Sequence, residues 1–527
     1  MSPPSPRVSR RALQVMMVAC LAAAACLAAT ACRAAGAGRE RAAAAAPARG
    51  EILDRRGVVL ATTLESPSLY GNPRQIRDPA AAAAAISARI AGLDTEALHR
   101  ALSRDTPFVW IARHAANHQV RAVMALGMPG IGIKLERVRR YPQGSLTAHV
   151  VGFTDADAVT GLGGAEMGCN AVLEHGQSVH LSLDVRVQQA VRDELVRAMH
   201  EYGARAAASV VLDADNAEIL ALVSLPDYDP NDRSSIAPYG YKNSVSSNVY
   251  ELGGLFEIFT TAAALDAQRV GPDTRLEVTP TLRIGAHTVR DDEPVRKLLS
   301  VADIFARSSL VGAALIAERS SPADQQAALR RMGLLDPMHI ELAESGPMPL
   351  VSYRAWGPYL RTAIGYGYGI AISPLQAASV ATAIVYHGRL VEPTLLLRGG
   401  ASPQGRPIVS ESTSIDMRAL MREAVVRGTG HNAEVAGYDV GGKTGTSLKQ
   451  VASHYDSARR RTWFFAGYPM SPIPRYTLLV MLDEPDGPAR ARATAEWNAA
   501  PTAGHIIERI GPLLHAPAAR IVARSEH

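Results

Sequence analysis

From residue 49 onward the chain switches between short stretches of period two and longer ones with helical spacing. RGEILDRRGVVLATTLESPSLYGNP sets two apolar runs on either side of Asp54-Arg55-Arg56-Gly57, which predicts strand, turn and strand. Helical stretches follow near 79–92 and 114–127, and then extended segments that include YPQGSLTAHVVGFTD. SVHLSLDVRVQQAVRDELVRAMH predicts a short alternating strand running into a helix whose apolar stripe is Val187, Val191, Leu195 and Met199. ASVVLDADNAEILALVSLPDYDPND predicts a hairpin turned by Asp213-Ala214-Asp215-Asn216. Helical patterning dominates 256–332 and 373–387. YDVGGKTGTS and RTWFFAGYP then predict a strand pair, followed by YTLLVMLDE and a closing helix over 502–514. Strands at both ends of this part with helices between them predict one antiparallel sheet covered by helices, an α+β layout.

The N-terminal segment has a different pattern. Arg7, Arg10 and Arg11 precede LQVMMVACLAAAACLAATAC, an uncharged apolar run ending before Arg33. At about 1.5 Å per residue, positions 12–32 span roughly 30 Å, the hydrocarbon thickness of a bilayer. They predict a single-pass anchor in the inner (cytoplasmic) membrane, with residues 1–11 as a cytoplasmic tail and the body in the periplasm. A cleaved signal peptide is the rival reading, and Ala29-Thr30-Ala31-Cys32 resembles a weak lipoprotein cleavage site. Residues 33–48 are Ala-rich and lack large apolar side chains, which predicts a linker. A mixed domain over 49–178 and a larger one over 179–527 complete the expected organisation.

Composition narrows the function classes. A net charge of +5 from 55 basic and 50 acidic residues, with no block of like charge, gives no footprint for nucleic acid. Cys20, Cys26 and Cys32 lie in the apolar run, so Cys169 is alone in the folded body and no disulfide is expected there. The histidines show no ligand spacing, so neither a metal nor an organic cofactor is expected. Lysine occurs only at 134, 242, 297, 443 and 449, which makes any lysine in a motif conspicuous.

One such lysine lies in Gly441-Gly442-Lys443-Thr444-Gly445-Thr446-Ser447. Serine acyl-transferases combine a Lys-Thr-Gly strand with a Ser-x-x-Lys helix start and a Ser-x-Asn loop. The serine attacks a carbonyl, the lysine one turn on takes its proton, and the strand docks the acyl donor. YELGGLFEIFTTAAALD, 250–266, resembles the YE-x-G-S-T-F-K-x-F-T segment of class B penicillin-binding proteins, the membrane-anchored transpeptidases that cross-link peptidoglycan. RGEILDRRGVVLA, YPQGSLTAHVVGFTD, GLGGAE, LDADNAEILALVSLPDYDPND, GYGIAISPLQAASVATAIVYHGRLVEPTLL, GGKTGTS, FFAGYP and LLVMLDEPDG extend the resemblance in the family's order, most like the septal, FtsI-like type. It implies an elongated pedestal (dimerisation-type) domain below a transpeptidase domain. The implied partners are peptidoglycan or a muropeptide in the groove, the membrane, and divisome or elongation proteins including a membrane glycosyltransferase.

The resemblance places the family's nucleophile at Gly254 and its general base at Glu257, and neither residue can do that chemistry. Its second motif falls on Ser308-Ser309-Leu310, where an apolar Leu310 replaces the amide. Lys443, Thr444, Gly445 and Thr446 keep the substrate-docking strand. No Ser-x-x-Lys occurs elsewhere, and Ser246-Ser247-Asn248 matches the second motif in letters but precedes the opening helix. These residues imply a catalytically inactive relative acting as a scaffold or regulator. An active transpeptidase with another nucleophile, a non-covalent muropeptide or β-lactam sensor, an unused paralogue and a residual hydrolase using Glu257 are the alternatives. A further expectation is an ion pair between Glu257 and Lys443 across the cleft.

Overall fold

The computed structural model describes residues 47–517 except 237–239, 285–286, 292–293, 352–355, 401–402, 452–453 and 487–492. The expected tail, anchor and nearly all of the linker lie outside the described residues. Among those described, no helix is long and apolar enough to cross a membrane.

The first domain is built on β2 (Val59–Gly71), which follows β1 (Ile52–Leu53) through the expected turn. Asp54 makes that turn: its buried Oδ1 accepts the amides of Arg56 at 2.7 Å and Val58 at 2.8 Å, and Gly57 supplies a φ of 82°. β3 (Val109–Ala112) and β4 (Ile131–Arg140) both pair antiparallel with β2. Helices Pro79–Ser87, Thr95–Leu102 and Asn117–Met124 close a small core around Leu69, Ile86, Leu102 and Ile111. β5 (Val179–His180), immediately past the expected boundary at 178, joins this sheet by pairing parallel with β1.

Two expectations need correcting. YPQGSLTAHVVGFTD is not extended throughout, because Gly144–Thr147 forms a 3-10 turn and Ala148–Val151 a helical turn. His149, Val150 and Val151 are all buried there, so helical packing on both sides overrides the β-branched preference. Nor is 256–332 helical throughout, since β8 (Arg275–Val278), β9 (Leu282–Ile284), β10 (His287–Val289) and β11 (Lys297–Ser300) interrupt it as two antiparallel pairs. Shorter pairs follow, β12 (Leu350–Val351) with β13 (Ile370–Ala371) and β14 (Arg389–Leu390) with β15 (Arg406–Pro407).

The large domain centres on a five-stranded antiparallel sheet in the order β16 (Gly441–Val451), β17 (His454–Tyr468), β18 (Tyr476–Asp483), β6 (Ala206–Asp213), β7 (Ile219–Leu225). Helices cover both faces, which explains why β6, β7 and β18 are buried almost throughout, while β16 and β17 are exposed where their hairpin extends past the helices. Alternation along β17 sorts the side chains: Trp463 and Phe465 enter the core with helices Glu257–Asp266, Pro374–Val385 and Glu411–Val426. Phe464, Ala466 and Tyr468 enter the other core, with helices Val185–Tyr202 and Ala499–Leu513. Within the first domain, buried Glu166 accepts Arg49 Nε at 2.6 Å and Arg139 Nε at 2.7 Å, which ties its last helical turns to the start of β1 and the end of β4.

Candidate functional site

The residues at 253–257 are set by close backbone approach. Gly253 has φ 53°, and a Cβ on it would lie 2.1 Å from the Thr446 carbonyl oxygen. Gly445 is the reciprocal condition, because a Cβ there would meet the Leu252 carbonyl oxygen at 2.6 Å. The two glycines let the 3-10 turn Gly253–Phe256 press onto β16 and launch the buried helix Glu257–Asp266 beside it. The first turn of that helix therefore faces Lys443.

The second side of the cleft wall comes from a break between helices. Helix Val301–Arg307 ends at Ser308 with φ 54° and ψ 50°, and Ser309 caps helix Leu310–Ala317 by accepting the Gly312 amide at 2.9 Å. Asp291 holds the cap, accepting Ser309 Oγ at 2.6 Å and the Val311 amide at 3.0 Å. The left-handed residue turns the Ser308 hydroxyl toward Glu257 and Lys443.

These side chains meet in one cluster. Lys443 Nζ donates to Ser308 Oγ at 2.6 Å and to its neighbour's carbonyl, Thr444 O, at 3.1 Å. Ser308 Oγ donates to Glu257 Oε1 at 3.1 Å. Glu257 Oε2 is 3.2 Å from Nζ without hydrogen-bond alignment, so that contact is electrostatic. Both charged side chains are sealed from solvent, at 0% and 1% exposure. Burial pushes the Glu257 carboxyl up to about 7 against the pull of Lys443, and burial pushes the Lys443 ammonium down against the pull of Glu257. The face of Phe305 lies 5.4 Å from Nζ.

Gly254 is the opening above this cluster. A Cβ on it would stand 2.5 Å from Ser308 Oγ and 3.2 Å from Glu257 Oε1. It lines a cleft of about 530 Å³ together with Ser308, Leu310, Thr444, Gly445 and Thr446. Thr429 lines it too and pairs with Thr444 through their hydroxyls at 2.6 Å. The sequence had not singled out Thr429, Asp291 or Phe305; only Gly428-Thr429-Gly430 hinted at a loop, since contacts across the chain define the others. Ser246, Ser247 and Asn248 do not line the cleft, and Ser246 is buried on a separate short helix. Cys169 is buried, and burial pushes its thiol up to about 11, which keeps it protonated and packed in the core.

Residues 207–508 match the family described as the penicillin binding protein transpeptidase domain, and 44–162 match the penicillin-binding protein dimerisation domain. The chain is 34% identical over 483 residues to the probable peptidoglycan D,D-transpeptidase FtsI of Caulobacter vibrioides, covering 89% of this chain and 81% of that one. It is 32% identical over 473 residues to the probable peptidoglycan D,D-transpeptidase PenA of Neisseria gonorrhoeae, covering 84% and 81%. The crystal structure of penicillin binding protein 3 of Mycobacterium tuberculosis complexed with ampicillin superposes with a TM-score of 0.71 at 25% identity, over 91% of this chain and 98% of that one.

Proposed function

The chain belongs to the class B penicillin-binding proteins, and from that premise we propose that it is a peptidoglycan-synthesis and cell-division protein that has lost the family's acyl transfer and acts by binding, as a scaffold or regulator. The observation that carries this reading is the state of the helix start: glycine stands where the nucleophile would be, and Glu257 faces Lys443 where an ammonium would be. A reacting unit that loses its nucleophile and base loses nearly all of its rate. Leu310 adds to this, because its side chain cannot hydrogen-bond an acyl-donor amide at the cleft wall. The reading extends to a membrane-anchored body in the periplasm, with divisome or elongation partners that include a membrane glycosyltransferase met through the anchor and pedestal.

The cleft itself favours a second reading, reversible occupancy by a muropeptide, since Thr444, Gly445 and Thr446 of β16 still border an open volume. Release of D-alanine from a stem pentapeptide over many turnovers tests the main reading in the full chain. The natural chain is expected to release none beyond background, and a Gly254→Ser/Glu257→Lys/Leu310→Asn variant is expected to regain turnover. Sustained turnover by the natural chain overturns the reading.

A further inference from the structure

Among the described residues, the Ser308 hydroxyl is the cleft oxygen that both buried charges touch. It receives a hydrogen bond from the Lys443 ammonium at 2.6 Å and gives one to the Glu257 carboxylate at 3.1 Å. That polarity is what a nucleophilic alcohol needs: a base on its proton and a cation to stabilise the oxygen as the proton leaves. The hydroxyl is half-buried and faces the cleft, while the two groups that would activate it lie beneath it out of solvent. Absence of a side chain at 254 leaves its outer side uncovered, because any Cβ there would stand 2.5 Å from the oxygen.

We propose that Ser308 is a nucleophile assembled by the same substitutions that removed the one at 254, with Glu257 as its proton acceptor and Lys443 as its electrostatic partner, and that it captures a strained or activated acyl donor as a single covalent ester. With a β-lactam, Oγ bonds to the carbonyl carbon, the hydroxyl proton passes to Oε1 of Glu257, the ring C–N bond breaks, and the ring nitrogen leaves with a proton returned from that carboxyl. Burial holds the carboxyl at about 7, a useful strength for a base at neutral pH. Glu257 and Lys443 are sealed from bulk solvent beneath Ser308, which disfavours their activating a solvent water against the ester. The result is stoichiometric capture rather than turnover, which goes beyond the binding reading without restoring cross-linking.

Labelling of the full chain with a fluorescent penicillin, followed by digestion and mass mapping of the adduct, tests this. The expected result is one label per chain, on the peptide containing Ser308. Ser308→Ala is expected to abolish it in a chain that still unfolds cooperatively at a lowered melting temperature, Ser308→Cys to keep it as a thioester at the same position, and Glu257→Gln to slow it by about 10²- to 10⁴-fold. Absence of label, label mapped to another residue, or label that survives Ser308→Ala overturns the proposal. If Ser308→Ala fails to fold, the position of the adduct on the natural and Ser308→Cys chains decides the matter. Failure here leaves the D-alanine release experiment untouched, so the two readings stand or fall separately.

Discussion

Glu257 and Lys443 face each other at 3.2 Å in the floor of the cleft, with neither side chain reaching solvent. Two charges so placed are held by one another and by Ser308, because burial alone penalises each of them. The pair converts a cleft floor built for two ammonium groups and a hydroxyl, as the family resemblance implies, into one that is locally neutral.

Breaking the pair from one side should therefore cost far more than removing it whole. Lys443→Met leaves the Glu257 carboxylate buried without its counter-charge above about pH 7, and a loss of about 3 to 5 kcal/mol is expected there in denaturant unfolding. Glu257→Gln/Lys443→Met should recover most of that loss, since an apolar pair of similar volume carries no desolvation penalty. Additive losses in this double-mutant cycle would show that the two residues do not interact.

The same carboxyl gives stability a pH dependence of unusual sign. Its folded value is raised from 4.5 to about 7, so the native chain holds this proton more tightly than the unfolded chain does. Its contribution is fully present below 4.5 and is lost as pH rises through about 7. Lys443, Ser308 and Asp291 are the groups that act on it, Asp291 by raising it further. Unfolding free energy measured across that window should fall for the natural chain relative to Glu257→Gln; parallel profiles would rule the titration out.

Adding one methyl group at 254 should undo the cluster. A Cβ in Gly254→Ala lies 2.5 Å from Ser308 Oγ and forces that hydroxyl to rotate off Glu257 and Lys443, with a loss of about 1 to 3 kcal/mol. Capture at Ser308 should disappear with it. Gly253→Ala should be worse, because its Cβ would stand 2.1 Å from a backbone carbonyl oxygen that cannot rotate away, at a residue with φ 53°. Melting temperatures of the two variants measure the difference, and equal values would contradict the packing described.

Inside the first domain, Glu166→Gln leaves the guanidinium groups of Arg49 and Arg139 buried without a carboxylate. A loss of about 3 to 5 kcal/mol is expected. Because Arg49 leads into β1, Arg139 ends β4 and Glu166 lies on helix Gly164–Gly168, limited proteolysis should cut first within residues 141–178, where this cluster anchors the end of the first domain. Cleavage spread evenly over the chain would argue against that role.

Residue order alone determined the domain succession, the hairpin around Asp213–Asn216, the strands at 441–468 and the positions, 254 and 257, where the chain departs from the segment it resembles. Those features are local: turn chemistry, period-two alternation and a motif with two wrong letters are all visible within a few residues. The pairing of Glu257 with Lys443 is already expected from the motif positions, and the structure puts them 3.2 Å apart; tertiary structure alone decided that Ser308 lies between them and that glycine at 254 is what admits that serine. Residues 254, 257, 308 and 443 come from a turn, a helix start, a left-handed break and an edge strand. Their distances are fixed by how two helices pack on β16, and desolvation exists only once that packing has excluded water.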